Sequence, residues 1–219
     1  MAAKIVTIYN QKGGAGKTAT TMNLAGTFGR NPKNKVMIID MDPQQTSTLW
    51  HSHSKGSFPA HITYIHPEDK NLLTVLKDLS EKYDFIFIDC PPSKDYVGAK
   101  RAILVSDLMI IPFMTSAQDV FAAMPIIALG EESKITNPSL KVMMLPCQYK
   151  SNNNHGIALI NQLNNDPRVQ LFRTSLGDRT SYKDCFLYGS TVHGVPNSKK
   201  SILEVESLVT EVNKILKAK

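Results

Sequence analysis

The sequence predicts an α/β fold: a mainly parallel twisted sheet with helices on both faces. Apolar runs rich in Ile, Val, Phe and Met recur along the 219 residues. They are short and continuous instead of alternating, as strands buried on both faces require. Stretches with apolar residues at helical spacing lie between them. A glycine-rich turn, Gly13-Gly14-Ala15-Gly16, follows directly on the first run and opens a helical stripe. Strand–helix–strand repetition implies right-handed crossovers between parallel strands. In such sheets ligands bind at the carboxyl ends of the strands.

In chain order, the first run is Lys4–Tyr9, followed by a stripe of Met22, Ala25 and Phe28. Val36–Ile39 is the second run, and Leu72, Val75, Leu76 and Leu79 make the next stripe. Phe85–Ile88, Leu108–Ile111 and Val142–Leu145 are further strands, and Val169–Phe172 is a weaker one. The polar stretch Ser151–Gly156 reads as a loop leading into a helix. The last segment offers a capping box in Ser201 and Glu204, then a stripe of Ile202, Val205, Val209, Val212 and Leu216. That stripe is expected to dock on the domain. It carries no aromatic residue, and Glu206 and Glu211 would oppose anionic lipid. No linker or repeat divides the chain, so one domain over residues 1–219 is expected.

The chain is 42% hydrophobic and 20% charged, an ordinary globular balance. No apolar run approaches the ~20 residues that cross a bilayer, and the N-terminus meets polar Asn10 and Gln11 too soon for a signal peptide. Three widely spaced cysteines, Cys90, Cys147 and Cys185, form no CxxC pair, which points to reduced thiols and a cytoplasmic protein. The net charge of +6 favours polyanionic partners. His51, His53, His61 and His66 cluster in sequence, but their spacing shares no helical face and no cysteine or carboxylate group accompanies them. They read as exposed histidines.

The chemistry concentrates in Tyr9-Asn10-Gln11-Lys12-Gly13-Gly14-Ala15-Gly16-Lys17-Thr18. Glycines allow the tight turn that points successive N–H groups at phosphate oxygens, and the following helix presents its positive end to the same anion. Gly13 to Gly16, Lys17, Thr18 and Ala19 form the expected nucleotide-binding stretch, with Lys17 reaching the β- and γ-phosphates and the Thr18 hydroxyl on Mg²⁺. GxxxxGK[ST] is not fully met, because Gln11 stands at the first glycine. Gly14-Ala15-Gly16-Lys17-Thr18-Ala19 also satisfies GxGxxA, with Asp40 downstream, but that dinucleotide fingerprint gives no reason for the lysine–threonine pair.

Two acidic motifs follow. Val36–Gln45 is a strand running into Asp40-Met41-Asp42-Pro43-Gln44, where carboxylates at i and i+2 leave the strand on one side and are both expected to face the phosphates. Phe85–Ile88 ends in Asp89-Cys90-Pro91-Pro92, an apolar strand terminating in an acid placed to hold Mg²⁺. Cys90 reads as packing.

The motif Lys12-Gly13-Gly14-Ala15-Gly16-Lys17-Thr18 resembles the deviant Walker A signature of the ParA partition ATPases, within the ParA/MinD superfamily of P-loop NTPases. Val105–Pro112 with Ala117-Gln118-Asp119, and Leu176–Asp184 with Tyr188-Gly189, are similar to ParA segments as well. The resemblance implies an ATP-sandwich homodimer in which Lys12 contacts the partner's nucleotide, Asp42 orients the attacking water, and Asp40 is a second-shell Mg²⁺ partner. It implies slow Mg²⁺-dependent ATP hydrolysis, stimulated by a ParB-like protein or adaptor, in a cytoplasmic, nucleoid-associated switch for plasmid or chromosome partition. Non-specific DNA would be met by Arg179 and Lys183, four apart and expected on one helical face, with Arg173, Lys199 and Lys200 as possible extensions. No membrane is expected as partner, a MinD-like membrane ATPase being the alternative. With the loop only a dozen residues in, operator-specific autorepression of the kind that goes with an N-terminal helix-turn-helix domain is not expected.

Overall fold

Strand β1 (Lys4–Ile8) runs through the middle of a six-stranded, all-parallel sheet ordered β3-β2-β4-β1-β5-β6. In the computed structural model, which describes residues 2–93 and 97–218, the other strands are β2 (Val36–Asp40), β3 (His61–Tyr64), β4 (Phe85–Asp89), β5 (Leu108–Met114) and β6 (Lys141–Cys147). The helices are α1 (Lys17–Gly29), α2 (Thr46–His53), α3 (Leu72–Ser80), α4 (Val97–Leu104), α5 (Ala117–Ser133), α6 (Asn154–Asn164), α7 (Thr180–Leu187) and α8 (Lys199–Lys217). A short 3₁₀ turn spans Val192–Gly194.

Alternation along each strand divides the core into two layers. Ile5, Ile39, Ile88 and Met109 face the layer of α3, α4, α5 and α6. Val6, Ile38, Phe87 and Ile110 face α1, α2, α7 and α8. Met22, Ala25 and Phe28 are buried as their spacing predicts, and the Phe28 ring packs 4.7 Å from Phe85 and 5.3 Å from Phe87 between centroids. The chain leaves β1 toward β2 and leaves β4 toward β5, in opposite directions and over opposite faces. The loops after these neighbours therefore diverge and open a crevice at their carboxyl ends. Register pairs Asp89 with both Ile8 and Asp40, which levels the three strand ends beneath that crevice.

Three elements differ from expectation. His61–Tyr64 forms a strand that no apolar run announces: it is the sheet edge and only partly buried, so polar residues serve there. Val169–Phe172 forms no strand, only an isolated bridge from Leu171 to Met144. The capping box of Ser201 and Glu204 does not form. Helix α8 starts earlier, at Lys199, with no side chain capping it. Ser201 lies in its first turn with its hydroxyl bonded to that of Ser181, and Glu204 faces Arg179. Tertiary partners outbid the local cap.

The stripe of α8 is docked, with Val205, Leu208 and Val212 buried against the layer of α1. Leu208→Ala is expected to cost about 2–4 kcal/mol in urea denaturation. A loss near zero would mean that α8 is not part of the folded core.

Candidate nucleotide site

The loop between β1 and α1 is fixed from below by Asn10, only 1% exposed. Its Nδ2 donates to the Pro112 carbonyl at 2.7 Å, and its Oδ1 accepts the Lys12 N–H at 2.9 Å. Gly14 and Gly16 take φ of +74° and +94°, left-handed conformations that favour glycine. Gly16 stands at the N-cap of α1 and therefore supplies no capping side chain, and the first turn contains no acidic residue. The positive end of α1 is thus left free for an external anion. Lys17 is 7% exposed and folds back so that Nζ donates to the Lys12 carbonyl at 3.0 Å. Burial lowers its pKa, against the opposing pull of Asp89 and Asp42.

Asp89 is buried beneath this loop. Its Oδ2 accepts the hydroxyls of Thr18 at 2.7 Å and Ser47 at 2.6 Å, while Thr21 lies 3.5 Å from Oδ1. Burial drives its pKa up to about 6 despite those hydroxyl bonds. A buried carboxylate beside a threonine hydroxyl is a hard-oxygen donor set that suits Mg²⁺, which takes few protein ligands and relies on phosphate and water for the rest. Among the described residues no group of three or more His, Cys, Asp or Glu could hold a metal. His53, His61 and His66 are exposed as read from sequence, whereas His51 is half-buried with its Nε2 3.1 Å from the Ala60 carbonyl.

The two carboxylates of Asp40-Met41-Asp42 separate, against the expectation that both face the phosphates. Asp42 lines the cavity at the mouth of the loop. Asp40 is fully buried and lies outside the cavity lining: Oδ1 accepts the Asp42 N–H at 3.0 Å, and Oδ2 accepts both the N–H and the hydroxyl of Thr48 at 2.9 Å. Hydrogen bonding to the start of α2 claims Asp40, so it braces the loop that carries Asp42.

The cavity is about 450 Å³. Gly13, Gly14, Gly16, Lys17, Thr18 and Ala19 form its phosphate end, and Gln148, Leu176, Asp178, Tyr182 and Phe186 contribute to its other walls. Ala15 is buried within the loop and does not line it. Lys12 does not line it either; its ammonium sits 2.6 Å from Asp119 on α5. Arg179 and Lys183 do not share a helical face. Arg179 is the extended N-cap residue of α7 and pairs with Glu204, whereas Lys183 lies on α7 with its ammonium 3.5 Å from Asp178. Arg173, Lys199 and Lys200 are exposed and form no ion pair with a described residue.

Asn10, Ser47 and Trp50 belong to the site and were not singled out from sequence. Trp50 is the single tryptophan; it lines the cavity from α2 and donates its indole N–H to the Ser190 carbonyl at 3.0 Å. The cysteines are buried, and burial pushes the Cys147 thiol up to about 12 and the Cys90 thiol higher still. Cys90 is packing, as its surroundings in sequence imply.

The Asp89 charge has a measurable consequence. The folded state holds its proton between the ordinary value of 3.8 and about 6, where the unfolded chain has already released it. Stability from this group therefore falls as pH rises through that window and stays low above it. Asp89→Asn in Mg²⁺-free protein is expected to gain about 2–3 kcal/mol in urea denaturation at neutral pH, a gain that shrinks as pH falls through the window. An unchanged or lower stability would show that the carboxylate is not ionised at a cost.

Comparison with known proteins agrees with this geometry. The family model described as an AAA domain matches residues 3–73 and 57–142, together well over half of the chain. The chain is 26% identical over 209 residues, 94% of each protein, to Maintenance of carboxysome distribution protein A of Halothiobacillus neapolitanus. It is 26% identical over 204 residues to Protein ParA of Rhizobium radiobacter, covering 89% of this chain and 87% of that one. Its fold superimposes with a TM-score of 0.78 and 23% identity on a Borrelia burgdorferi B31 protein described as a plasmid partition protein and solved bound to AMPPNP, covering 97% and 99% of the two chains. With the matched loop, the six parallel strands and these relatives together, the chain belongs to the ParA family of partition and positioning ATPases.

Proposed function

We propose that this protein is a Mg²⁺-dependent ATP switch that closes as a homodimer around nucleotide and, when closed, binds DNA through phosphate contacts without regard to sequence. A partner protein carried by the cargo then triggers hydrolysis and release. The observation that carries this reading is the placement of Lys12. It follows the fixed loop at Asn10, lies outside the lining of its own cavity, and is held by Asp119 in this single chain. A lysine so placed is available to the nucleotide of a second copy, as the family resemblance implies.

Within one site, Lys17 and the free end of α1 would stabilise charge on the transferring phosphoryl group. Thr18 and Asp89 would hold Mg²⁺, which would supply positive charge to offset that of the phosphates. Asp42, at the cavity rim and braced through its N–H by Asp40, would orient water. Reading the chain as a single catalytic domain accords with β1 to β6 joining in one sheet.

For DNA, the shielded pair of Arg179 with Glu204 shifts weight to Lys183, whose side chain is 72% exposed and whose contact with Asp178 is longer at 3.5 Å, and to Arg173, Lys199 and Lys200. Cargo positioning is what the names of the carboxysome-distribution and ParA relatives support. A membrane-associated switch receives no support from α8, whose Val205, Leu208, Val212 and Leu216 are buried and whose Ile202 and Val209 are partly buried against the same core. Among the described residues, no helix is long and apolar enough to cross a membrane.

The test is binding to random-sequence duplex DNA with ATP, ADP or no nucleotide, using Asp42→Ala to hold the closed state. Binding is expected with ATP alone, weakening about a thousandfold between roughly 50 and 200 mM salt if some six phosphates are contacted. An ATP-dependent dimer that binds no DNA in any nucleotide state would overturn the DNA reading and make liposomes the next surface to test. In sedimentation, Lys12→Ala is expected to abolish the ATP-dependent dimer while the monomer still binds ATP. A Lys12→Ala dimer of normal stability would exclude the trans role.

A further inference from the structure

The segment from Arg173 to Arg179 runs past the end of β6 and forms a wall of the cavity through Leu176, Gly177, Asp178 and Arg179. It is not a strand. Its sheet-like contacts are the Tyr149–Gly177 bridge and hydrogen bonds from Leu176 N–H to the Pro146 carbonyl at 2.9 Å and from Asp178 N–H to the Tyr149 carbonyl at 3.1 Å. What holds its outer side is α8. Glu211 accepts the N–H groups of Arg173 and Thr174 at 2.8 and 3.1 Å. Glu204 accepts the Gly177 N–H at 3.1 Å, the Tyr182 hydroxyl at 2.9 Å and the Arg179 guanidinium. Two helical turns span roughly 10 Å, about the length of three extended residues, so Glu204 and Glu211 match the interval from Thr174 to Gly177.

Glu204 differs from Glu211 in what it holds. Arg179 and Tyr182 both line the cavity, and both end on Glu204. A Cβ on Gly177 would lie 3.0 to 3.1 Å from the Arg179 guanidinium, so glycine lets that guanidinium lie against the backbone. The Glu204 side chain is 18% exposed and Arg179 34%, which shields the pair from water more than a surface ion pair. The phosphate end of the cavity, by contrast, is built from the loop and α1, and no bond in it involves α8.

We propose that Glu204 is a positioning residue for the nucleoside of ATP. Through Gly177, Arg179 and Tyr182 it sets the wall opposite the phosphate-binding loop, and so governs affinity for base and ribose without touching the phosphates. This deepens the ATP reading of the cavity and rests on it. It also gives Arg179 a place in nucleotide binding instead of on a DNA surface.

The experiment titrates wild type and Glu204→Gln with Mg²⁺-ATP and with Mg²⁺-tripolyphosphate, which lacks the nucleoside, following Trp50 fluorescence. Loss of a charge-assisted anchor is expected to weaken ATP binding roughly tenfold, with tripolyphosphate binding unchanged and the melting temperature close to wild type. Unchanged ATP affinity, or equal weakening of both ligands, would overturn the positioning role. Should Glu204→Gln fail to fold, Arg179→Lys carries the same comparison, since it keeps the charge and loses the bidentate fork. A wild-type protein that binds tripolyphosphate but gains nothing from the nucleoside would also overturn the inference. One that binds neither ligand would overturn the ATP reading itself.

Discussion

Asp89 carries its charge at the carboxyl end of β4 with 1% of its surface exposed, and its neighbours on two helices answer to it. Thr18 and Thr21 reach it from α1, Ser47 from α2, and Lys17 offsets it electrostatically. A buried carboxylate with only hydroxyl donors and no direct cation is poorly compensated. That incomplete compensation leaves the buried carboxylate with capacity for a further cationic partner. The same hydroxyls that satisfy Asp89 tie the start of α2 to the start of α1, so the loop carrying Asp42 and the glycine-rich loop share one anchor.

Asp40 extends this frame. It sits level with Asp89 in register, yet its oxygens are consumed by Asp42 N–H and Thr48. Burial raises its pKa as well. Two buried carboxylates on neighbouring strands are tolerable here because each is turned to a different set of donors. The sharing of labour leaves Asp42, two residues on, as the acid at the cavity. Helix α2 carries the connection onward, since Trp50 bonds to Ser190 and His53 Nδ1 lies 3.1 Å from the Phe186 carbonyl.

The parallel core was readable because fully buried strands leave continuous apolar runs, and the five strong runs all became strands, β1, β2, β4, β5 and β6. The edge strand β3 was not, because a half-exposed edge tolerates His61 and Thr63 and erases the apolar signal. Strands β5 and β6 outrun their predicted ends through Pro112 and Pro146, residues that read as stops. In the site, the glycine-rich loop leaves a compact local pattern from Lys12 to Thr18. Residues that act across the fold leave none: Asn10 reaches 102 positions to Pro112, and Ser47 reaches 42 to Asp89. The misreadings of Ser201, Glu204 and Arg179 share a cause. Local spacing suggested a cap and a helical face, while partners 20 and 25 residues away decided both.

The isolated bridges of Leu171 and Gly177 bear on how copies of this chain can associate. The first falls on the outer flank of β6 and the second, to Tyr149, just beyond its end, where they occupy backbone groups that an edge strand would otherwise offer to another chain. That flank is closed by the protein's own polypeptide. At the opposite flank β3 is four residues long, too short to template extended pairing. Strand addition is therefore discouraged at both margins of the sheet, and any higher assembly has to be made from side chains of helices and loops. Contacts of that kind can be gained and lost without disturbing the sheet.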